Sequence, residues 1–376
     1  MNNNNNNHFK FALTHSLIFY VVFIVGLSYH LYFFINIFSI LTYSLKKSLI
    51  HSIIITTIFY IIMIIFLSLN LITKFSKLYY IFFLSIAIFY FFGITSIITI
   101  IIIFILNINS YFLIFTFYII FGIFLTLIGI YNEQNTISDR KKITIKNLLK
   151  NITIAHLTDM HLGAIYGKEF VTKIVKIIQN ENVDIVIITG DMVDGNISLT
   201  NEMLEPFNML NIPVYYVTGN HEDYTNKNET LNIIHNSCLI HIRNQIINVN
   251  NNINLIGIDY NSNVDDVKME LKNLLVNNNN NLPNIFCYHV PIFLPENLNE
   301  FNISLFLCGH THGGQVFPLH ILYKYMYGIL EGLYDYNKIN YIYCCSGCGT
   351  GWCPVRFFSK SKIGILELIS DKNILY

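Results

Sequence analysis

Five short blocks rich in histidine, aspartate and asparagine lie between residues 156 and 315, and each follows a run of apolar residues. Such runs are typical of buried strands. Side chains just past the ends of strands can converge on one site even when they lie far apart along the chain. In order, the blocks are residues 156–161 (HLTDMH), 190–195 (GDMVDG), 219–222 (GNHE), 287–291 (CYHVP) and 308–315 (CGHTHGGQ).

The residue types in these blocks favour a site for transition-metal ions. Imidazole nitrogens with carboxylate or amide oxygens suit Mn, Fe or Zn, whereas calcium prefers oxygen ligands alone. A site for one ion uses three or four protein ligands, and the blocks supply more. We therefore predict two divalent ions that share a bridging carboxylate. The candidate ligands are Asp159, His161, Asp191, Asn220, His289, His310 and His312.

A pair of such ions favours hydrolysis of a phosphate ester. Two ions about 3.5–4 Å apart can bind a shared hydroxide and neutralise the oxygens of an in-line phosphoryl displacement. The leaving alkoxide then needs a proton. His221 is adjacent to the candidate ligand Asn220 and is therefore a candidate donor.

The ordered set D-x-H, G-D-x-x-D, G-N-H-E, H and G-H-T-H resembles the calcineurin-like metallophosphoesterase superfamily, over roughly residues 150–370. The last block and the segment at residues 349–357 (GTGWCPVRF) are similar to a membrane-associated branch, in which the catalytic domain follows a hydrophobic region. The resemblance implies a four-layer αββα sandwich.

The resemblance also implies a role for each candidate residue. Asp191 would bridge the two metals, and His221 would be the general acid, oriented and kept protonatable by Asp194. The remaining ligands of the first metal would be Asp159, His161 and His312, and those of the second would be Asn220, His289 and His310.

The elements that would position these blocks begin at residue 152. Short β-branched runs alternate with helix-like stretches, which indicates an α/β domain. The strand-like runs cover residues 152–157, 184–189, 214–218, 253–258, 284–288 and 303–308. The helix-like stretches cover residues 169–179, 200–210 and 264–275.

The first third of the chain has the composition of a membrane region. No Asp or Glu occurs before Glu133, and apolar runs long enough to span a bilayer follow one another. Four transmembrane helices are predicted, at residues 17–37, 49–72, 80–106 and 111–130. The predicted organisation is a disordered Asn-rich N-terminus at 1–10, an all-α transmembrane region at 11–131, a basic linker at 132–150 and the phosphoesterase domain at 151–376.

The positions of the lysines predict the orientation in the membrane. With four helices, only Lys46 and Lys47 lie on one side, whereas the basic cluster at residues 140–150 lies on the other. Because cytoplasmic loops carry the excess of Lys and Arg, a multi-pass protein with a cytosolic catalytic domain is expected.

The charge distribution bears on partners. All 23 acidic residues lie from Glu133 onward, where they outnumber the basic ones. This net negative charge disfavours binding to the phosphate backbone of nucleic acid. The expected partners are a phosphoester substrate, with a lipid-linked phosphate as the first class to test, and the lipid bilayer. Protein partners are not identified by the sequence.

Three further features have competing interpretations. Cys344, Cys345, Cys348 and Cys353 match no common zinc spacing, so small buried side chains are favoured over metal ligands or disulfides. Arg356 is equally suited to contact phosphate or to cap a sheet edge. Residues 317–336 would form a covering loop, or an apolar wall that faces the bilayer beside the metals.

The main alternative to an enzyme is a non-catalytic scaffold of the same fold at a membrane. The complete set of candidate ligands together with His221 disfavours it. A channel with a regulatory domain is disfavoured because the predicted helices contain no acidic residue.

Overall fold

The computed structural model describes residue 54 and residues 76–106 and 110–371, except 196, 277, 279, 293–294, 337–338 and 352. The chain divides into two compact units, Met1–Gly129 and Ile130–Tyr376. The predicted disordered segment at 1–10 and the first two predicted membrane helices lie outside the described residues, apart from residue 54.

Two long apolar helices make up most of the described part of the first unit, and the second helix ends with residues 130–134 in the second unit. They are α1 (Ser76–Leu106) and α2 (Tyr111–Gln134), at the positions of the third and fourth predicted membrane helices. Thr95, Thr99 and Thr126 donate hydrogen bonds to carbonyls four residues earlier in the same helix, so these hydroxyls need no water. In the part of the chain that the structure describes, one stretch is long and apolar enough to cross a membrane, Thr116–Gln134 in α2.

The second unit contains two six-stranded mixed sheets. The first sheet has the order β1-β12-β2-β3-β4-β5 and the second has the order β10-β11-β9-β8-β7-β6. The strands are β1 (Ile137–Ile145), β2 (Ile152–Leu157), β3 (Ile185–Thr189), β4 (Val214–Val217), β5 (Leu239–His241), β6 (Gln245–Val249), β7 (Ile253–Gly257), β8 (Asn284–Cys287), β9 (Ile303–Cys308), β10 (Gly332–Tyr336), β11 (Asn340–Cys344) and β12 (Lys362–Ser370). Strands β2 to β5 are parallel, as are β7, β8, β9 and β11.

Helices cover the outer face of each sheet. They are α3 (Lys168–Gln179), α4 (Asn201–Leu204), α5 (Lys227–His235), α6 (Val264–Val276), α7 (Pro295–Glu300) and α8 (Leu319–Tyr327). Short 3-10 helices occupy Glu205–Met209, His221–Tyr224 and His312–Gly314. In α3 the buried residues recur at helical spacing, at Val171, Ile174, Val175 and Ile178, so one stripe of the helix faces the sheet.

Three apolar cores hold these layers together. One contains Ile187 from the first sheet and Leu255 and Leu307 from the second, so the sheets pack face to face. The other two join each sheet to its own helices. Because both faces of β3 are covered, all five of its residues are buried. The mixed α/β architecture and its four layers agree with the sandwich implied by the resemblance.

The segment predicted as a basic linker differs from that prediction. Its residues 137–145 form β1, which pairs in parallel with β12. Ile143 and Ile145 are buried in the core between the sheets, whereas Arg140 forms surface ion pairs with Glu181 and Glu367. The lysines and arginine that suggested a linker are therefore the solvent-facing side of an edge strand.

Candidate metal centre

The carboxyl ends of five strands meet at one place, where the two sheets adjoin. The first sheet contributes residues after β2, β3 and β4, and the second contributes residues after β8 and β9. All seven predicted ligands lie there. After β2 come Asp159 and His161, after β3 Asp191, after β4 Asn220, after β8 His289, and after β9 His310 and His312.

One group of donor atoms comes from Asp159, His161 and His312. The Nε2 atoms of the two histidines are 3.1 Å apart, and His312 Nε2 is 3.3 Å from Asp159 Oδ1. Asp159 Oδ1 is 4.0 Å from His161 Nε2. These three side chains therefore face a common point.

A second group of donor atoms comes from Asp191, His289 and His310. His289 Nε2 is 3.1 Å from Asp191 Oδ2 and 3.3 Å from His310 Nδ1. Asp191 Oδ2 is also 3.9 Å from His161 Nε2 in the first group. Asp191 thus lies between the two groups, in the position predicted for a bridging ligand.

These donors fit transition-metal ions. With metal–nitrogen distances of about 2.0–2.1 Å, neighbouring ligand atoms on one tetrahedral or octahedral ion lie roughly 3.0–3.4 Å apart, as the closest pairs here do. The side-chain oxygen Oδ1 of Asn220 is buried, and among the described residues it has no hydrogen-bond partner. A buried amide oxygen without a donor is explained if it is a ligand.

The outer nitrogens of three of these histidines face fixed polar groups. The Thr189 carbonyl oxygen is 2.8 Å from His289 Nδ1, and the Tyr327 hydroxyl is 2.9 Å from His310 Nε2. Asp194 Oδ1 is 3.5 Å from His161 Nδ1. The contacts at His289 and His310 hold those two rings in the tautomer that turns the other nitrogen towards an ion. The sequence did not identify Tyr327, because α8 carries no recognisable motif.

The contact between Asp194 and His221 differs from the one that the resemblance implied. His221 Nδ1 is 2.8 Å from the main-chain carbonyl oxygen of Asp194, and the Asp194 carboxylate is near His161 instead. His221 Nε2 is 3.9 Å from Asp191 Oδ2, and the His221 side chain is 17% exposed. A partly exposed imidazole beside the donor groups is suitably placed for proton transfer to a bound substrate.

Glu222 organises the loop after β3, a role that the sequence did not reveal. Its buried carboxylate accepts hydrogen bonds from the main-chain N–H groups of Met192, Val193 and Asp191, at 2.8, 3.3 and 3.2 Å. It also accepts one from Gly219. Burial, together with the charge of Asp191, raises the pKa of Glu222 to about 7. Glu222 thus ties the Asp191 loop to the loop that carries Asn220 and His221.

The electrostatics of the centre are those of carboxylates that attract positive charge. Burial lowers the pKa of His289, but Asp191 and Asp159 outweigh that effect and raise it to about 10. Burial alone would raise the pKa of Asp191, and the nearby imidazoles of His289, His221 and His161 hold it well below its usual range. The carboxylates therefore favour positive charge at this point of the centre, which is the charge that a bound divalent ion would supply.

The backbone at the centre is strained. Asp159, His161, Asp191, His310 and His312 all have positive φ, between 48° and 70°. Residues other than glycine adopt this left-handed region at a cost, which is commonly met at functional sites. Five of the seven candidate ligands have positive φ. The loops after β2, β3 and β9 therefore adopt a strained backbone where the candidate ligands converge.

Gly309 permits the close approach of the last loop to Asp159. A Cβ atom at this position would overlap Thr158 Oγ1 and Asp159 Oδ2. We expect Gly309→Ala to displace Asp159 and lower metal affinity by at least about tenfold, as disturbance of a ligand's surroundings does elsewhere. Metal content measured by mass spectrometry checks this. Gly167→Ala is the control, because nothing lies within 4 Å of its added Cβ; equal metal content in both variants would contradict the expectation.

Arg356 is buried, and its guanidinium donates to main-chain carbonyl oxygens and to the Ser359 hydroxyl. Its guanidinium donates to the carbonyl oxygens of Ser346, Gly347 and His312, at 2.8, 3.1 and 3.1 Å. The same loop returns a hydrogen bond from Gly349 N to the Asp159 carbonyl oxygen at 2.9 Å. Arg356 therefore fixes the loop that backs Asp159, in place of the two roles considered from the sequence.

The clustered cysteines are free thiols, as favoured from the sequence. Cys344, Cys345 and Cys348 are buried and Cys353 is partly buried. The Cys348 thiol donates to the Lys362 carbonyl oxygen at 3.2 Å, and the Cys344 thiol donates to that of Leu330 at 3.3 Å. In the described part of the chain, none of the candidate ion-binding groups includes a cysteine.

Comparison with known proteins agrees with this geometry. A model of the family described as calcineurin-like phosphoesterase matches residues 152–314, which contain all seven candidate ligands. A Campylobacter jejuni protein named an uncharacterized metallophosphoesterase is 32% identical over 265 residues, 68% of this chain and 69% of the relative.

Two further relatives extend the comparison. A Helicobacter pylori protein named an uncharacterized metallophosphoesterase is 34% identical over 231 residues, 60% of this chain and 62% of the relative, so this chain spans less than two thirds of that protein. A Danio rerio protein named transmembrane protein with metallophosphoesterase domain is 30% identical over 233 residues, 57% of this chain and 52% of the relative. Given the family match, these relatives and the donor groups described above, the chain belongs to the calcineurin-like metallophosphoesterase family.

Proposed function

We propose that the chain is a membrane-anchored phosphoesterase that hydrolyses phosphomonoesters or phosphodiesters with two divalent metal ions. The observation that carries the proposal is the convergence of two donor groups on either side of Asp191. Asp159, His161 and His312 would hold one ion, and Asn220, His289 and His310 would hold the other. Manganese, iron and zinc all suit this donor set.

The residues around the donor groups would protonate the leaving group and position the loops. When bound, the ions supply charge neutralisation for the phosphate oxygens and lower the pKa of a water molecule that serves as nucleophile. His221 protonates the leaving oxygen from Nε2, while the Asp194 carbonyl oxygen, 2.8 Å from Nδ1, orients the ring. Glu222 fixes the loop that contains Asp191. Arg356 fixes the loop that packs behind Asp159.

The proposed membrane anchoring is supported by α2 and by the relatives named as transmembrane proteins. Four crossings and a cytosolic catalytic domain remain predictions from the apolar runs and the lysine positions. A lipid-linked phosphate is the proposed substrate class to test first, because an anchored enzyme meets such esters in its own bilayer.

The test uses the full chain in detergent micelles with manganese. It is offered p-nitrophenyl phosphate, bis-p-nitrophenyl phosphate and a phosphatidic acid. We expect hydrolysis of at least one class of ester, lost on chelation with EDTA and restored by manganese. Metal binding without hydrolysis of any of the three would contradict the proposal and favour a non-catalytic scaffold.

A further inference from the structure

The surface beside the metal centre carries an exposed apolar face. It consists of Phe317, Ile321 and Tyr325, on and just before α8, together with Phe358, and we refer to it as the α8 face. These side chains are 36%, 59%, 88% and 66% exposed, respectively. We propose that the α8 face docks onto the surface of the lipid bilayer in which the chain is anchored. This inference rests on the membrane anchoring of the proposed function.

The two sides of α8 have opposite surroundings. On the inner side, the Tyr327 hydroxyl is 2.9 Å from His310 Nε2, and the Tyr323 and Tyr327 rings stack at 6.1 Å. On the outer side, Ile321 and Tyr325 lie one turn apart and face solvent. A surface helix normally presents polar residues to water. An aromatic and aliphatic outer side is instead typical of helices that lie in a membrane interface.

Phe358 is exposed in a conformation that bulky residues avoid. Its φ is +74°, and its ring is 5.7 Å from that of Phe317 and 5.6 Å from that of His320. Although the ring packs against these neighbours, 66% of Phe358 stays exposed to water, and a positive φ in a bulky residue costs free energy. This exposure is explained if the ring enters an apolar environment.

The end of α2 shows why that environment is the bilayer. Asn132 Nδ2 donates to the Arg356 carbonyl oxygen at 3.3 Å, and the Asn132 carbonyl oxygen accepts from Ser361 N at 3.1 Å. These contacts lie on both sides of Phe358 in the sequence. Two residues span at most about 7 Å, so Phe358 lies close to the point where the proposed membrane helix ends.

Basic residues beside the α8 face suit an anionic lipid surface. Lys324 lies next to Tyr325 on α8, and Lys360 lies two residues after Phe358; both are exposed. Lysines near a membrane surface are attracted to anionic headgroups, by about 1 kcal/mol each. With the α8 face docked, only the thickness of α8 would separate the metal centre from the headgroups, since Tyr327 on the same helix contacts His310. A phosphate at headgroup level would then be close to the donor groups.

The first experiment measures contact with lipid directly and needs no activity. The full chain, with Cys238→Ser to remove the exposed thiol, carries a fluorescent NBD label at Tyr325→Cys. It is reconstituted into phosphatidylcholine and phosphatidylglycerol vesicles that contain nitroxide-labelled lipid. We expect quenching several-fold stronger than for the same label at Met269→Cys, which is 60% exposed on α6. Equal quenching at the two positions would overturn docking. The emission maximum of the NBD label is recorded as well. A shift of that maximum to shorter wavelength that depends on protein density and not on lipid would also overturn docking, because it would indicate contact with a second copy of the chain.

A second experiment links the α8 face to the substrate. Ile321→Asp with Phe358→Asp should lower hydrolysis of vesicle-borne phosphatidic acid several-fold and leave hydrolysis of p-nitrophenyl phosphate unchanged. Equal losses on both esters would count against docking. Strong quenching at position 325 with no hydrolysis of any ester would support docking and contradict the catalytic proposal alone, so the two failures are distinguishable.

Discussion

Replacing Asp191 by asparagine is expected to remove bound metal and phosphoesterase activity together. Asp191 Oδ2 lies 3.1 Å from His289 Nε2 and 3.9 Å from His161 Nε2, so its charge serves both donor groups. Asparagine is neutral and offers one oxygen, so it cannot bridge two ions as a carboxylate does. Loss of a supporting contact costs roughly 10–100-fold in metal affinity, and loss of the bridge should cost at least that.

The measurement combines metal analysis by mass spectrometry with hydrolysis of p-nitrophenyl phosphate by the same sample. Asp265→Asn is the matched control, because Asp265 is exposed on α6. A variant at position 191 that keeps two ions per chain and loses only turnover would show that Asp191 does not bridge. Full activity would contradict the dinuclear site itself.

Replacing His221 by alanine is expected to lower turnover by about 10²–10⁴-fold, the usual contribution of a positioned general acid, with metal content unchanged. The loss should depend on the leaving group. An alkoxide needs a proton on departure, whereas p-nitrophenolate leaves readily without one. The variant should therefore lose most activity on an alkyl phosphate and much less on p-nitrophenyl phosphate.

The pH dependence gives an independent check of the same role. Burial lowers the pKa of His221, although Asp191 opposes the shift. Turnover of the alkyl ester should fall as the pH rises through that pKa and the acid is lost, and the alanine variant should lack this limb. His235→Ala is the control, because His235 is exposed on α5 and outside the donor groups. Equal losses on both esters would indicate a role in binding and not in protonation.

The positions of the candidate ligands could be anticipated because they depend on local signals. Apolar runs that end in Asp, His or Gly mark the carboxyl ends of strands, and parallel strands bring those ends together. This is why Asp159, Asp191 and His289 are near one another in the structure although they are distant in sequence. The two helices α1 and α2 could also be predicted from the sequence, because a long apolar run has few alternatives to a helix.

The supporting residues could not be anticipated, because their roles depend on tertiary packing. Nothing adjacent to Tyr327 indicates that its hydroxyl meets His310, and nothing adjacent to Arg356 indicates that its partners are carbonyl groups. The Asp194 main-chain oxygen contacts His221, and a pattern of side-chain types cannot reveal a main-chain contact. Strand β1 was missed for a similar reason, since its charged residues suggest a linker until β12 is placed beside it.

The pairing of β1 with β12 also has a consequence for the order of events during synthesis. Ile137 pairs with Lys362, and β12 lies between β1 and β2 in the first sheet. At about 5–20 residues per second, roughly 10 s or more separate the emergence of these strands from the ribosome. Helices α1 and α2 have left the ribosome well before then, while β2 still presents an unpaired edge. The proposed membrane helices can therefore engage a bilayer before the first sheet is complete, and the nascent domain has to be protected from aggregation until β12 arrives.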